Sequence, residues 1–267
     1  MERRAVTTGK VDLDASRRGA GDPLLLIRTA LAVDELEPLA AQPPLADRFR
    51  IITYDRRGYG ASTSIAGPGS IARDAADALA VLDAFDTASA HVLGVSFSAA
   101  IALELAILAP DRVRSLILIE PPPSIEPGAA EFRGTSRRLM ELHEREGTSA
   151  ALGAFMPLIA GPNWRAEYDR VVPGMSERIE RDAEAFFGTD MPALIEWRVE
   201  PDRTSAVTCP VLHISGGDSG PRFANVPGRV RTLLPQAESV PVEGAGHDVA
   251  FTHPEAVAAE VARFLSR

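Results

Sequence analysis

Three side chains far apart in this chain could do chemistry together if the fold collects them. Ser96 ends an apolar run in Gly94-Val95-Ser96-Phe97-Ser98, and an Ala-rich helical pattern begins at once behind it. A serine on so sharp a strand-to-helix turn is exposed as a nucleophile, and small neighbours allow the strained backbone it needs. The usual form of the turn has a second glycine where this chain has Ser98. A serine hydroxyl attacks only with a base within hydrogen-bond reach and a third group to hold that base. His247, in Gly244-Ala245-Gly246-His247-Asp248, follows the last strand pattern on a glycine loop and is the candidate base. The other histidines fit worse: His91 opens a strand, His143 and His213 follow helix and strand patterns, and His253 precedes Pro254. Two carboxylates compete as the third group. Glu120 closes an apolar strand against Pro121-Pro122-Pro123, where an unpartnered charge would be costly. It is the preferred acid, a salt bridge anchoring the next segment being its other reading. Asp218, in Gly216-Gly217-Asp218-Ser219-Gly220, is the reserve.

The elements that must position these residues read as alternating strands and helices, which require right-handed crossovers and a parallel sheet. Residues 3–14 predict an antiparallel entry pair about a Gly9-Lys10 turn. Leu24-Leu25-Leu26-Ile27 is a continuous apolar run, the pattern of a strand buried on both faces. Further strands are predicted at 49–55, at the run into Ser96, at 113–119, 210–215 and 239–242, with helices at 71–85, after Ser96 to Pro110, near 222–234 and at 254–265. Between about 124 and 205 the periodicity is helical, and the segment holds both tryptophans among charged residues. The expected fold is therefore α/β: a mostly parallel central sheet flanked by helices, with core segments 1–123 and 206–267 and a helical cap at 124–205 inserted after the strand that ends at Glu120.

Bulk properties narrow the partners. The chain of 267 residues has 45% hydrophobic and 24% charged residues, an ordinary globular composition. A net charge of −9 argues against a nucleic-acid partner, which would call for a basic surface. No apolar run is long enough for a membrane span, and the first residues lack the apolar core of a signal peptide, so a cytoplasmic protein is expected. Cys209 is the only cysteine, which excludes an internal disulfide and a cysteine-based zinc site. No metal-ligand spacing and no phosphate-cradling glycine loop appears, so neither metal nor cofactor is expected. A small-molecule substrate is the expected partner, and the sequence is compatible with a homodimer.

From end to end the chain resembles a capped α/β hydrolase, in particular the zearalenone-lactonase-like branch. The resemblance rests on Gly94-Val95-Ser96-Phe97-Ser98, Ile119-Glu120-Pro121-Pro122, Gly217-Asp218-Ser219, and Gly246-His247 with His253-Pro254-Glu255 beyond it. It implies an α/β-hydrolase fold and a glutamate after the pre-cap strand as the acid, hence Ser96, His247 and Glu120 as nucleophile, base and acid. Many other members place an aspartate after the strand that follows the cap. Counted from Gly216 that place falls on Ser219, and Asp218 is one position early. Most members also carry His-Gly after the first buried strand, and a backbone N–H there helps to hold the oxyanion. Arg28-Thr29 stands in its place, so the implied donors are the N–H groups of Thr29 and Phe97, with Arg28 free to pair with a substrate carboxylate or with Glu120. The stretch Asp55-Arg56-Arg57-Gly58-Tyr59-Gly60-Ala61-Ser62 matches a family turn and reads as structural. Arg28, Ala30, Trp164, Trp197 and Phe155, together with Tyr59, are the expected pocket residues. The implied activity is cofactor-independent hydrolysis of a carboxylic ester or lactone through an acyl-enzyme. Carbon–carbon bond hydrolysis, a lyase or cyclase step, or a catalytically silent ligand-binding homologue are the alternatives.

Overall fold

The chain is described by a computed structural model over residues 1–64, 67–125 and 129–267. Its organising element is a sheet of eight strands: β1 (Glu2–Thr8), β2 (Val11–Arg18), β3 (Asp22–Ile27), β4 (Phe49–Tyr54), β5 (Ala90–Val95), β6 (Val113–Ile119), β7 (Val211–Gly216) and β8 (Ala237–Val242). Their order is β1-β2-β4-β3-β5-β6-β7-β8. β2 pairs antiparallel with both β1 and β4, and every other pairing is parallel. The entry pair runs longer than the expected 3–14, because the second half of β2 also pairs with β4, from Ala15 opposite Tyr54 to Arg18 opposite Ile51.

The continuous apolar runs become central strands because both faces of the sheet are covered. Side chains alternate across a strand, so each run divides between two cores. Leu25, Ile27, Val92, Leu116 and Leu118 join the cluster that holds helices α1 (Ile71–Ala84) and α2 (Phe97–Leu108). Leu24, Leu26, Leu93, Ile117 and Ile119 join the opposite cluster, with Val257, Val261 and Phe264 of the C-terminal helix. α1 starts where Ser70 caps it by accepting from the Arg73 N–H. α2 lies against the centre of the sheet and is buried from Phe97 to Ala106.

Between β6 and β7 the described residues form no strand. They form α3 (Ala130–Glu146), α4 (Thr148–Ala160), α5 (Trp164–Val171), α6 (Met175–Ala185) and α7 (Met191–Glu196). These helices share an apolar cluster of their own, and Leu31, Ala32 and Phe251 from loops at the C-terminal edge of the sheet are part of it. The helical segment is thereby packed over that edge. Beyond β7 come α8 (Val226–Leu233) and α9 (Pro254–Phe264). α8 begins later than the expected 222, because Phe223 and Val226 are first drawn into turns by hydrogen bonds to the Gly220 and Phe223 carbonyls. Among the described residues no helix is long and apolar enough to cross a membrane.

Candidate active site

Strand register collects the site. Ile27 lies opposite Gly94, Val95 opposite Ile119, and Ile119 opposite Ile214, so β3, β5, β6 and β7 end along one edge. Thr29, Ser96, Glu120 and the Gly216 loop follow directly from those ends.

Ser96 takes φ 50° and ψ −116°, a conformation that L-residues rarely adopt. Two neighbours allow the turn. A Cβ at position 94 would overlap the Ser98 carbonyl, so Gly94 is required by close approach. Ser98, standing where a second glycine is usual, is fully buried, and its hydroxyl accepts from Val95 N–H at 2.9 Å and donates to Val95 C=O at 3.0 Å. The serine thus staples the turn internally and presents no polar atom without a partner.

His247 Nε2 lies 3.0 Å from Ser96 Oγ, and Nδ1 lies 2.9 Å from Glu120 Oε2. Glu120 is 2% exposed, and its other oxygen accepts from Gly216 N–H at 2.7 Å and from the Ser219 hydroxyl at 2.9 Å. A carboxylate can only accept, so the Nδ1 proton points to Glu120 and the Nε2 lone pair faces the serine hydroxyl. The imidazole is held from the side as well, by the ring of Phe223 stacked on it at 4.3 Å between centroids. Asp218 takes no part in this chain of contacts: its backbone N–H donates to Ala245 C=O, and no hydrogen bond or ion pair joins its carboxylate to His247.

The N–H of Phe97, first residue of α2, is among the helix N-terminal donors that have no acceptor within the helix. Thr29 is 3% exposed and its hydroxyl donates to Val95 C=O at 3.0 Å, which fixes its backbone beside the serine turn. Two N–H groups so placed can meet charge that develops on a carbonyl attacked by Ser96. Arg28 does not meet Glu120. Its guanidinium pairs with Asp55 and, at 2.9 Å, with Glu37, and it is not among the residues lining the cavity at Ser96.

That cavity, about 90 Å3, is lined by Thr29, Ala30, Ser96, Phe97, Phe155, Met156, Ile159, Phe186, Met191, Leu194 and Phe223, with His247, Glu35, Asp248 and Tyr168 among the polar members. A wider cavity of about 360 Å3 adjoins it and shares Pro123, Phe132, Phe155, Ile159 and Phe223. Ala30 and Phe155, both expected from the sequence, are therefore at the cavity. The tryptophans and Tyr59 are elsewhere. Trp164 packs edge-on against Tyr168 inside the helical segment. Trp197 Nε1–H donates to buried Glu104 at 3.2 Å, a contact that Arg203 shares, and so ties the segment to α2. Tyr59 donates to Asp190 at 2.5 Å.

Two features escaped sequence reasoning. Arg56, 2% exposed, binds Asp190 of the helical segment through both Nη atoms, at 3.2 and 2.6 Å, and also reaches Asp74 at 3.3 Å. It lies over the Phe97 ring at 4.5 Å and donates from Nε to the Arg28 carbonyl at 3.0 Å, thereby linking both candidate oxyanion segments to the helical cover. Its only signal was an arginine between Asp55 and Arg57, with the partner 134 residues away. The second is Glu35, whose carboxyl is driven up to about 8 by burial and by the nearby Asp248. Burial likewise raises Asp248 and lifts the Tyr168 hydroxyl well above its ordinary range, while His213, buried within β7, is pushed down to about 4.

A mostly parallel eight-stranded sheet with a serine on the strand-to-helix turn after its central strand, and helices over the strand ends, is the architecture of an α/β hydrolase. The chain belongs to the alpha/beta hydrolase family, whose model matches residues 26–260. It is 30% identical over 271 aligned positions to a protein of Azorhizobium caulinodans named as a carbamate hydrolase, RutD, with 92% of each chain covered. Among solved structures it resembles a thermophilic esterase from Thermogutta terrifontis, with a TM-score of 0.82, 22% identity, and 100% of this chain and 98% of that one covered. It resembles equally an enol-lactonase from Burkholderia xenovorans LB400, with a TM-score of 0.78, 22% identity and full coverage of both chains.

Proposed function

We propose that the protein is a cofactor-independent serine hydrolase that cleaves a carboxylic ester or lactone, with Ser96 as nucleophile, His247 as general base and Glu120 as the acid that orients it. The observation that carries this reading is the unbroken line from Ser96 Oγ to His247 Nε2 at 3.0 Å and from Nδ1 to Glu120 at 2.9 Å. His247 takes the hydroxyl proton as Oγ attacks the carbonyl, and Glu120 stabilises the imidazolium that forms. The N–H groups of Thr29 and Phe97 receive the oxyanion. His247 then returns the proton to the leaving alcohol, and a water, activated in the same way, releases the acid and frees Ser96. In a lactone the leaving alcohol stays tethered to the acyl group, so water must enter before ring closure reverses the step.

Residues 1–123 and 206–267 form the catalytic core in this reading, and 124–205 form a cap that sets substrate shape. Phe155, Met156, Ile159, Phe186 and Met191 on the cap side of the cavity favour an apolar body on the substrate. A small-molecule substrate and a cytoplasmic setting belong to the same reading, the latter because a lone Cys209 permits no internal disulfide. The esterase, lactonase and carbamate hydrolase names of the relatives support hydrolysis of an acyl bond; the hydrogen-bonded serine supports an acyl-enzyme route.

The test is burst release of p-nitrophenol from a p-nitrophenyl ester by the wild-type protein and by Ser96→Ala. A stoichiometric burst lost in the variant is expected. Equal activity in both proteins rejects the reading.

A further inference from the structure

Glu35 sits on the loop that follows β3 and lines the same cavity as Ser96 and His247. It is 7% exposed, yet among the described residues its carboxyl has neither a hydrogen bond nor an ion pair. Asp248 and Tyr168 line the cavity beside it, and the Tyr168 hydroxyl likewise has no hydrogen-bond partner. A buried polar group without a partner is costly, and a buried carboxyl especially so. Among the described residues no arginine or lysine lines this cavity. Arg178 pairs with Asp34 at 2.5 Å, Arg28 with Asp55 and Glu37, and Arg56 with Asp190. The rest of the wall is largely aliphatic and aromatic, so charge placed there is poorly screened.

We propose that Glu35, with Asp248 and the Tyr168 hydroxyl, forms a subsite for a small primary ammonium group within the Ser96 cavity, which makes the site selective for amine-bearing substrates. An ammonium has three N–H donors and no acceptor, which matches two carboxyls and a phenol oxygen. An anionic substrate group would meet two acids and no free cation there. Glu35 and Asp248 line one cavity, Glu35 feels the charge of Asp248, and Asp248 in turn feels His247, Glu167 and His253. Burial and Asp248 raise the Glu35 carboxyl to about 8, so near pH 7 its protonated form dominates. An arriving ammonium pairs with the carboxylate, and the Glu35 proton passes to solvent.

As a statement about substrate class, the inference rests on the hydrolase reading, but its test does not require turnover. Binding of n-propylammonium and of neutral n-propanol is measured by calorimetry at pH 7 in two buffers of different ionisation enthalpy, with Ser96→Ala as the host protein. The expected result is at least tenfold tighter binding of the ammonium, with net proton release on binding. Glu35→Gln in the same host should abolish both the preference and the proton release. Asp248→Asn, which leaves Glu35 in place, should weaken the preference and serves if Glu35→Gln does not fold. Equal affinity for the two probes, or a preference unchanged in folded Glu35→Gln, overturns the subsite. Ammonium preference in a protein whose Ser96 resists a fluorophosphonate probe would leave the subsite standing and remove the hydrolase reading alone. Rapid labelling of Ser96 without that preference would do the reverse.

Discussion

The Ser219 hydroxyl donates to Glu120 Oε1 at 2.9 Å, so the loop after β7 that carries Asp218 supports a carboxylate supplied from the end of β6. Oε2 is thereby left to His247 alone. The arrangement explains how Glu120 can be buried as a charge: three donors, the Gly216 N–H, the Ser219 hydroxyl and the His247 Nδ1–H, converge on it.

The first prediction separates the two carboxylates. Glu120→Gln should lower kcat/KM for a p-nitrophenyl ester by about 10³–10⁴, the scale of losing the acid of such a relay. Asp218→Asn should stay within about twofold, because its side chain does not contact His247 or Ser96. Ser219→Ala should fall between them, near tenfold, since it removes one hydrogen bond to a charged group worth about 1.5–3 kcal/mol. A larger loss in Asp218→Asn than in Glu120→Gln would reverse the assignment of the acid.

The serine turn yields a second test. Ser98→Ala removes the acceptor of Val95 N–H and one of the two hydroxyl donors to Val95 C=O, the Thr29 hydroxyl being the other, and should destabilise the protein by about 1–3 kcal/mol in urea unfolding. Gly94→Ala should be far more damaging, because the added methyl meets backbone and not a movable side chain. Recovery of folded, fully active Gly94→Ala protein would contradict the close approach described here.

The buried Arg56–Asp190 pair tests how the helical segment is tied down. Asp190→Asn leaves a buried guanidinium with only Asp74 as a charged partner and should cost about 3–5 kcal/mol in thermal or chemical unfolding. Because Arg56 also lies over Phe97, activity per folded molecule should fall too, which a merely peripheral ion pair would not cause.

Protonation supplies a fourth prediction. Glu35 is raised from 4.5 to about 8 and Asp74 from 3.8 to about 7, so each binds its proton more tightly when folded. The stability they contribute is complete below their unfolded values and is lost as pH rises through 7 to 8. His213, lowered from 6.5 to about 4, acts oppositely: its contribution is complete above 6.5 and is lost as pH falls toward 4. Between pH 6.5 and 8.5 only the carboxyls matter among these three, and unfolding free energy should decline by about 2 kcal/mol on the alkaline side. Glu35→Gln should flatten much of that slope, and an equally steep slope in the variant would show that Glu35 ionises normally.

Much of this protein was legible before folding because the informative signals are local. Continuous apolar runs such as Leu24–Ile27, short and bounded by Pro23 and a polar stretch, fit strands covered on both faces, and Gly94 before Ser96 marks a place where backbone passes close by. From those patterns the α/β class, the helical insertion and the candidates Ser96, Glu120 and His247 all followed. What sequence spacing could not decide was which side chains meet across the sheet edge. Glu120 and Asp218 were rivals because position along a chain says nothing about direction; strand register and the positive φ of 47° at Glu120 aim one carboxyl at the imidazole. Trp197 and Arg28 looked like pocket residues because size and charge suggest ligands, yet Glu104 claims the one, and Asp55 with Glu37 the other. Arg56 with Asp190, and Glu35 with Asp248, were invisible for the same reason. Pairing and desolvation depend on distances in space between residues far apart in the chain, and only the tertiary structure sets those distances.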